Sequence, residues 1–106
     1  MIKYLYIPAD EAKQVEERRL DGLQMLQEVI GGHIEYVSLG LQCAYCNEEG
    51  KLLGLPVNRR ATRLAFGYLM GDQLCGDVLV FSPGGENGSD VMDGTIDYVN
   101  AMVPLP

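Results

Sequence analysis

The chain has 106 residues, 47% hydrophobic and 22% charged, a balance that fits one globular domain built around a single core. Fifteen acidic against eight basic residues give a net charge of −7. From Leu64 onward Asp72, Asp77, Glu86, Asp90, Asp93 and Asp97 stand without any Lys or Arg, and such a surface repels phosphate, excluding direct binding of DNA or RNA through that half. The apolar run at the amino terminus is broken by Lys3 and followed by Asp10 and Glu11, so it is neither a signal peptide nor a membrane span, and a cytoplasmic location is expected.

Cys43, Cys46 and Cys75 are an odd number at spacings that suit no disulfide framework, which points to a reducing compartment. The Cys43–Cys46 spacing is formally a CxxC. It falls in a stretch that reads as a strand, where positions three apart point to opposite faces. With one histidine and no second cysteine pair, the ligands for a zinc site are missing, so no metal and no cofactor are expected.

In chain order, residues 2–7 are rich in β-formers and stop at Pro8, a first strand. Residues 12–20 carry too few apolar groups to hold a helix on a core and read as a polar edge strand. Asp21 is placed as an N-cap, and Leu23, Leu26, Val29 and Ile30 recur at helical spacing up to Gly31-Gly32, which closes a first helix. Residues 33–39 alternate with apolar groups on both faces, the pattern of a central strand. Residues 41–46 form another strand, Asn47-Glu48-Glu49-Gly50 has the residue order of a type I turn, and residues 51–55 are expected to return as its hairpin partner.

Asn58 can cap a second helix whose inward face is Ala61, Leu64, Ala65 and Tyr68, closed by Gly71-Asp72. Residues 77–82 are a continuous apolar run suited to burial on both faces. Residues 83–90 hold Pro83, Gly84, Gly85, Asn87 and Gly88 and read as a flexible loop, and residues 91–103 as a carboxy-terminal helix or tail. Repeats are absent and strands arrive in groups. The fold class is therefore α+β: a single mixed or antiparallel sheet of about five strands with two or three helices packed on it, one domain over residues 1–106. At this size folding buries roughly two-thirds of the unfolded surface, and a homo-oligomer is expected to supplement stability.

The stretch Gly31-Gly32-His33-Ile34-Glu35, then residues 47–62 from Asn47 to Thr62, then Gly76-Asp77-Val78, resembles the domain-of-unknown-function family 3846. The likeness runs over most of residues 1 to 82 and does not cover the segment after Gly84. It implies a small protein of phages, plasmids and bacteria without an assigned role. His33 stands where an aromatic residue is usual in that pattern, which argues against a family-wide catalytic role for it.

No catalytic constellation emerges. His33 has no Ser or Cys neighbour in sequence, Glu48 and Glu49 point apart in a turn, and Gly84-Gly85-Glu86-Asn87-Gly88 lacks the Lys-Ser/Thr of a P-loop. The candidate binding site lies where the second helix begins. Arg59 and Arg60 in its first turn oppose the helix dipole, and an anion received between their guanidinium groups and the free N–H groups would compensate. Asn47, Glu48, Asn58 and Thr62 flank them in sequence and offer hydrogen bonds to a ribose or base. The competing reading is structural: Asn58 caps, Asn47 and Gly50 turn the chain, and the arginines pair with surface carboxylates.

The expected function is that of a non-catalytic binding protein of a phage or mobile element, sequestering an anionic nucleotide-type ligand and so antagonising host defence. The alternative is an acidic protein that inhibits a host protein by direct contact, as a nucleic-acid mimic does, through its base-free half.

Overall fold

The computed structural model describes residues 1–84 and 87–102. Gly85 and Glu86 of the expected loop, and the chain from Val103, lie outside the described residues. The elements are β1 (Ile2–Ile7), β2 (Glu16–Leu20), α1 (Gly22–Ile30), β3 (Ile34–Ser38), β4 (Cys43–Asn47), α2 (Arg59–Leu64), a 3-10 turn over Phe66–Tyr68, β5 (Val78–Phe81) and α3 (Thr95–Met102). The five strands make one sheet in the order β2-β1-β5-β4-β3, antiparallel at every junction. It is an α+β fold.

The order follows from composition. The four residues of β5, Val-Leu-Val-Phe, are all buried, and a strand apolar on both faces belongs in the middle. It joins two hairpins, β1 with β2 and β3 with β4, and the outer strand β2 is the strongly charged one. The side chains then sort by strand alternation. Leu5, Ile7, Ala44, Cys46, Val78 and Val80 face Ala61 and Ala65 of the α2 segment and Val99 of α3. Tyr4, Tyr6, Cys43, Leu79 and Phe81 face Leu26 and Ile30 of α1. One helix therefore covers one face and two cover the other, and each fully buried aliphatic or aromatic side chain contributes roughly 1.5–3 kcal/mol.

Beyond β5 the chain returns to β1. Val91 N–H donates to the Lys3 carbonyl at 2.8 Å and Lys3 N–H donates to Asp90 Oδ1 at 2.8 Å. Lys3 Nζ also lies 3.6 Å from Asp93. These bonds bring α3 back over the core.

Several expectations need correction. β3 is an edge strand, not a central one. Residues 51–55 are not a hairpin partner for β4, because β5 occupies the side of β4 that such a strand would need. They form successive turns instead, with Leu53 N–H donating to the Glu49 carbonyl at 2.9 Å, and Leu52 and Leu53 stay exposed. α2 ends at Leu64 rather than at Gly71, and the chain tightens into a 3-10 turn where Phe66 and Gly67 lower helix propensity. Tyr68 is consequently exposed and not part of the inward face. Asp21 precedes α1 but makes no capping bond, whereas Gly31, at φ 88°, closes α1 with its N–H on the Gln27 carbonyl.

The turn at residues 47–50 forms as expected. Gly50 N–H donates to the Asn47 carbonyl at 3.1 Å and Glu49 N–H to Asn47 Oδ1 at 2.8 Å. Gly50 is required there, since a Cβ would sit 2.9 Å from the Cys75 carbonyl oxygen.

Asn58 is wholly buried and does more than cap. Its Oδ1 accepts the Ala61 N–H at 3.0 Å, while its Nδ2 donates to the carbonyls of Ile7 at 2.8 Å and Gly76 at 2.9 Å. Asp is as good a cap in isolation, but here it would aim a carboxylate oxygen at two carbonyls. Asn58→Asp is therefore expected to lower stability by about 2 kcal/mol or more, read from the urea midpoint at neutral pH, where a cap-only role would leave it unchanged.

Candidate functional site

The loop between β1 and β2 wraps over the start of α2, anchored by buried Pro8 and Val15. That contact decides the fate of both arginines. Arg59 points outward and grips Glu11, with Nε and Nη2 each 2.5 Å from a carboxylate oxygen. Those hydrogen bonds hold the Glu11 carboxyl below the usual glutamate range and push the Arg59 guanidinium upward. Arg60 turns inward and is 6% exposed. Its Nη1 donates to the Lys13 carbonyl at 2.9 Å, and its Nη2 to those of Pro8 at 2.6 Å and Asp10 at 3.1 Å. Arg60 Nε has no hydrogen-bond partner, and no carboxylate lies within ion-pair distance of this guanidinium among the described residues.

The six residues singled out in the sequence do not converge. Asn58 is saturated by backbone groups, as described above. Thr62 Oγ1 accepts the Leu74 N–H at 3.0 Å and holds the 72–76 segment against α2. Asn47 is buried in its own turn, and Glu48 is exposed beside it. Asn47 and Glu48 line a different cleft of about 320 Å³, shared with Glu35, Lys51, Cys46 and Cys75. The helix-terminus receptor also fails on geometry, because α2 has only six residues and Asn58 takes the Ala61 N–H.

Arg60 does border a cleft of about 300 Å³. Its other walls are residues 11–15 of the β1–β2 loop and Asn100 from α3. Glu11 is ion-paired there with Arg59, and Asp10, whose carboxylate accepts the Ala12 N–H at 2.9 Å, keeps its negative charge, so the three cations Arg59, Arg60 and Lys13 stand against two carboxylates. The remaining lining residues with donor groups are Arg60, Lys13, Gln14 and Asn100. In a chain of charge −7 this is a local excess of positive charge with hydrogen-bond donors around it. Sequence reasoning missed Lys13, Gln14 and Asn100, which lie 40 or more positions from Arg60. The one available signal was a basic residue and an amide in the otherwise acidic 10–17 segment.

The cleft beside β4 has different chemistry. Cys46 Sγ is 3.8 Å from the Glu35 carboxylate, and burial, then the negative charge of Glu35, push its thiol up to about 11. Lys51 and Asp72 pair across the rim. On the other face, burial and a 2.6 Å hydrogen bond to Asp77 push the Tyr6 phenol up to about 12, with the Arg18 guanidinium stacked over its ring. Among the described residues no group of three His, Cys, Asp or Glu side chains could hold a metal ion, and no helix is long and apolar enough to cross a membrane.

A family described as a domain of unknown function, DUF3846, matches residues 2–103. The chain belongs to that family. The match runs past Gly84, where the resemblance noted in the sequence stopped, so α3 and Asn100 fall within the DUF3846 domain. No curated protein and no solved structure matched the chain.

Two measurements check this geometry. A carboxylate whose folded pKa is depressed contributes stability above its unfolded pKa and loses it as pH falls through the folded value. Glu11→Gln is therefore expected to flatten the loss of melting temperature between about pH 5 and about pH 2, and an unchanged acid slope would show the Arg59 pair to be idle. Alkylation at about pH 8 should label Cys75 first and spare Cys46, whose buried thiol remains protonated there. Early labelling of Cys46 in a peptide map would contradict its placement.

Proposed function

We propose that this DUF3846 protein is a non-catalytic binding protein that captures a small anionic molecule of phosphate-bearing, nucleotide type in the cleft bounded by the 11–15 loop, Arg60 and Asn100. One observation carries the reading: Arg60 is a buried cation whose partners are all neutral carbonyls. Burying a charge without an opposite one is costly, and a bound anion beside the guanidinium would offset that cost. Lys13 supplies a second positive charge, and the amides of Gln14 and Asn100 supply directional donors. Of the residues expected from sequence, Arg60 is retained, and Arg59 pairs with Glu11 at the rim.

Within a phage or other mobile element, the setting the family resemblance implies, holding such a ligand away from host receptors would antagonise host defence. The contact-inhibitor reading has less support, since Asp90, one of its carboxylates, accepts the Lys3 N–H and ties the segment before α3 to β1.

Melting curves with inorganic phosphate, nucleotides and cyclic nucleotides test the proposal. A ligand at about a hundred times its dissociation constant adds about 2.7 kcal/mol of stability. The shift is expected to vanish in Lys13→Ala and Asn100→Ala and to survive in Arg59→Ala. No shift with any anion, or a shift indifferent to Lys13 and Asn100, would remove the cleft as the site.

A further inference from the structure

The two edges of the sheet differ sharply in how they are protected. β2 reads Glu-Glu-Arg-Arg-Leu, and charges of this density are the usual guard against another strand docking on an open edge. β3 reads Ile-Glu-Tyr-Val-Ser, with one charge, no proline and Tyr36 57% exposed. Its apolar groups lie on both faces, the pattern of a strand with neighbours on both sides, yet among the described residues of one chain it has a neighbour on one side only.

The register shows what the open side offers. In antiparallel pairs, residues that exchange both backbone bonds with a neighbour alternate with residues whose N–H and C=O point away. Glu48 N–H donates to the His33 carbonyl at 2.9 Å and Leu39 N–H to the Gln42 carbonyl at 2.8 Å. Together with the pairs Glu35↔Cys46 and Val37↔Ala44, this phase turns His33, Glu35, Val37 and Leu39 toward β4. Ile34, Tyr36 and Ser38 therefore present their N–H and C=O groups to the open edge.

We propose that this edge pairs with the same edge of a second copy of the chain, antiparallel about a two-fold axis through Tyr36, so that one sheet runs through both copies. The register is selected by the residues themselves. Centred on Tyr36, every outward-facing residue finds an outward-facing partner, Ile34 against Ser38 and Tyr36 against Tyr36. Centred on Glu35, the two carboxylates would stand directly opposite, which is destabilising, and centred on Val37, Ile34 would be left unpaired.

Side chains agree on both faces. Tyr4, Phe81, Tyr45 and Tyr36 already form a row of aromatic contacts, with ring centroids 5.4, 4.5 and 6.4 Å apart, and Tyr36 of a second copy extends it. On the other face Glu35 lies against Val37 of the second copy rather than against a like charge. Glu35 and Val37 also line the cleft that holds Cys46 and Cys75, so pairing joins the two clefts into one groove across the axis. The proposal is independent of the Arg60 cleft, whose walls come from the β1–β2 loop, α2 and α3.

Light scattering on an eluting column, over a concentration series to about 1 mM, is the test, with amide exchange as the local readout. The native chain is expected to reach twice the chain mass, with the amides of Ile34, Tyr36 and Ser38 protected in the dimer and exchanging on dilution. Ser38→Pro removes an outward N–H, which a free edge strand tolerates, and Tyr36→Lys sets like charges face to face. Each should weaken association at least about ten-fold while circular dichroism stays native, and either variant suffices if the other misfolds. A native chain that stays monomeric throughout overturns the proposal, as does a dimer that survives both substitutions or leaves those three amides unprotected.

Discussion

The carboxamide of Asn58 is the interaction on which the arrangement of this domain hangs. Three carbonyl or amide groups meet on it: the end of β1 at Ile7, the approach to β5 at Gly76 and the first turn of α2 at Ala61. All are buried, and no apolar side chain could satisfy them. Because β5 is the strand that joins the two hairpins, fixing its start against β1 also fixes the centre of the sheet. Asn58 N–H completes the junction by donating to the Leu74 carbonyl at 2.8 Å. An interior polar group of this kind specifies one geometry, where an apolar contact would tolerate several.

Arg60, two positions further on, extends the same principle outward. With its side chain folded back under the β1–β2 loop, it organises three carbonyls that have no strand partner. The loop gains a fixed backbone path, with the Lys13 carbonyl held against Arg60. The charge then has no carboxylate within ion-pair distance among the described residues, and Glu11, which feels it, is already held by Arg59. A feature that orders the loop thus also leaves an electrostatic demand in the cleft, and this double role links the fold to the proposed capture of an anion.

The sheet edges supply the second functional theme. β2 is closed to strangers by its charges, and β3 keeps a sequence suited to a sheet interior. A strand read from its own residues as central, and found at an edge, has a pattern that a single chain does not use. Pairing between copies would use it, and it would also meet the modest core of a domain this small with added buried surface.

The sequence by itself determined the elements whose signals are local. β1, the polar edge strand β2, α1 with its closing glycine, β4 with its Asn-to-Gly turn, the buried run of β5 and the cap at Asn58 are all set by periodicity, turn chemistry and capping, which act over a few residues. Tertiary structure decided what depends on distant partners. β5 displaced residues 51–55 from β4, because a buried strand outcompetes an exposed one for that side. Glu11 took Arg59, the carbonyls of the β1–β2 loop took Arg60, and Asn100 came to the cleft from α3, across separations at which spacing in the chain carries no information. Residue type alone could show that a basic pair stood at a helix start; only the path of the loop over it could fix which cation was spent on a carboxylate and which was left for something else.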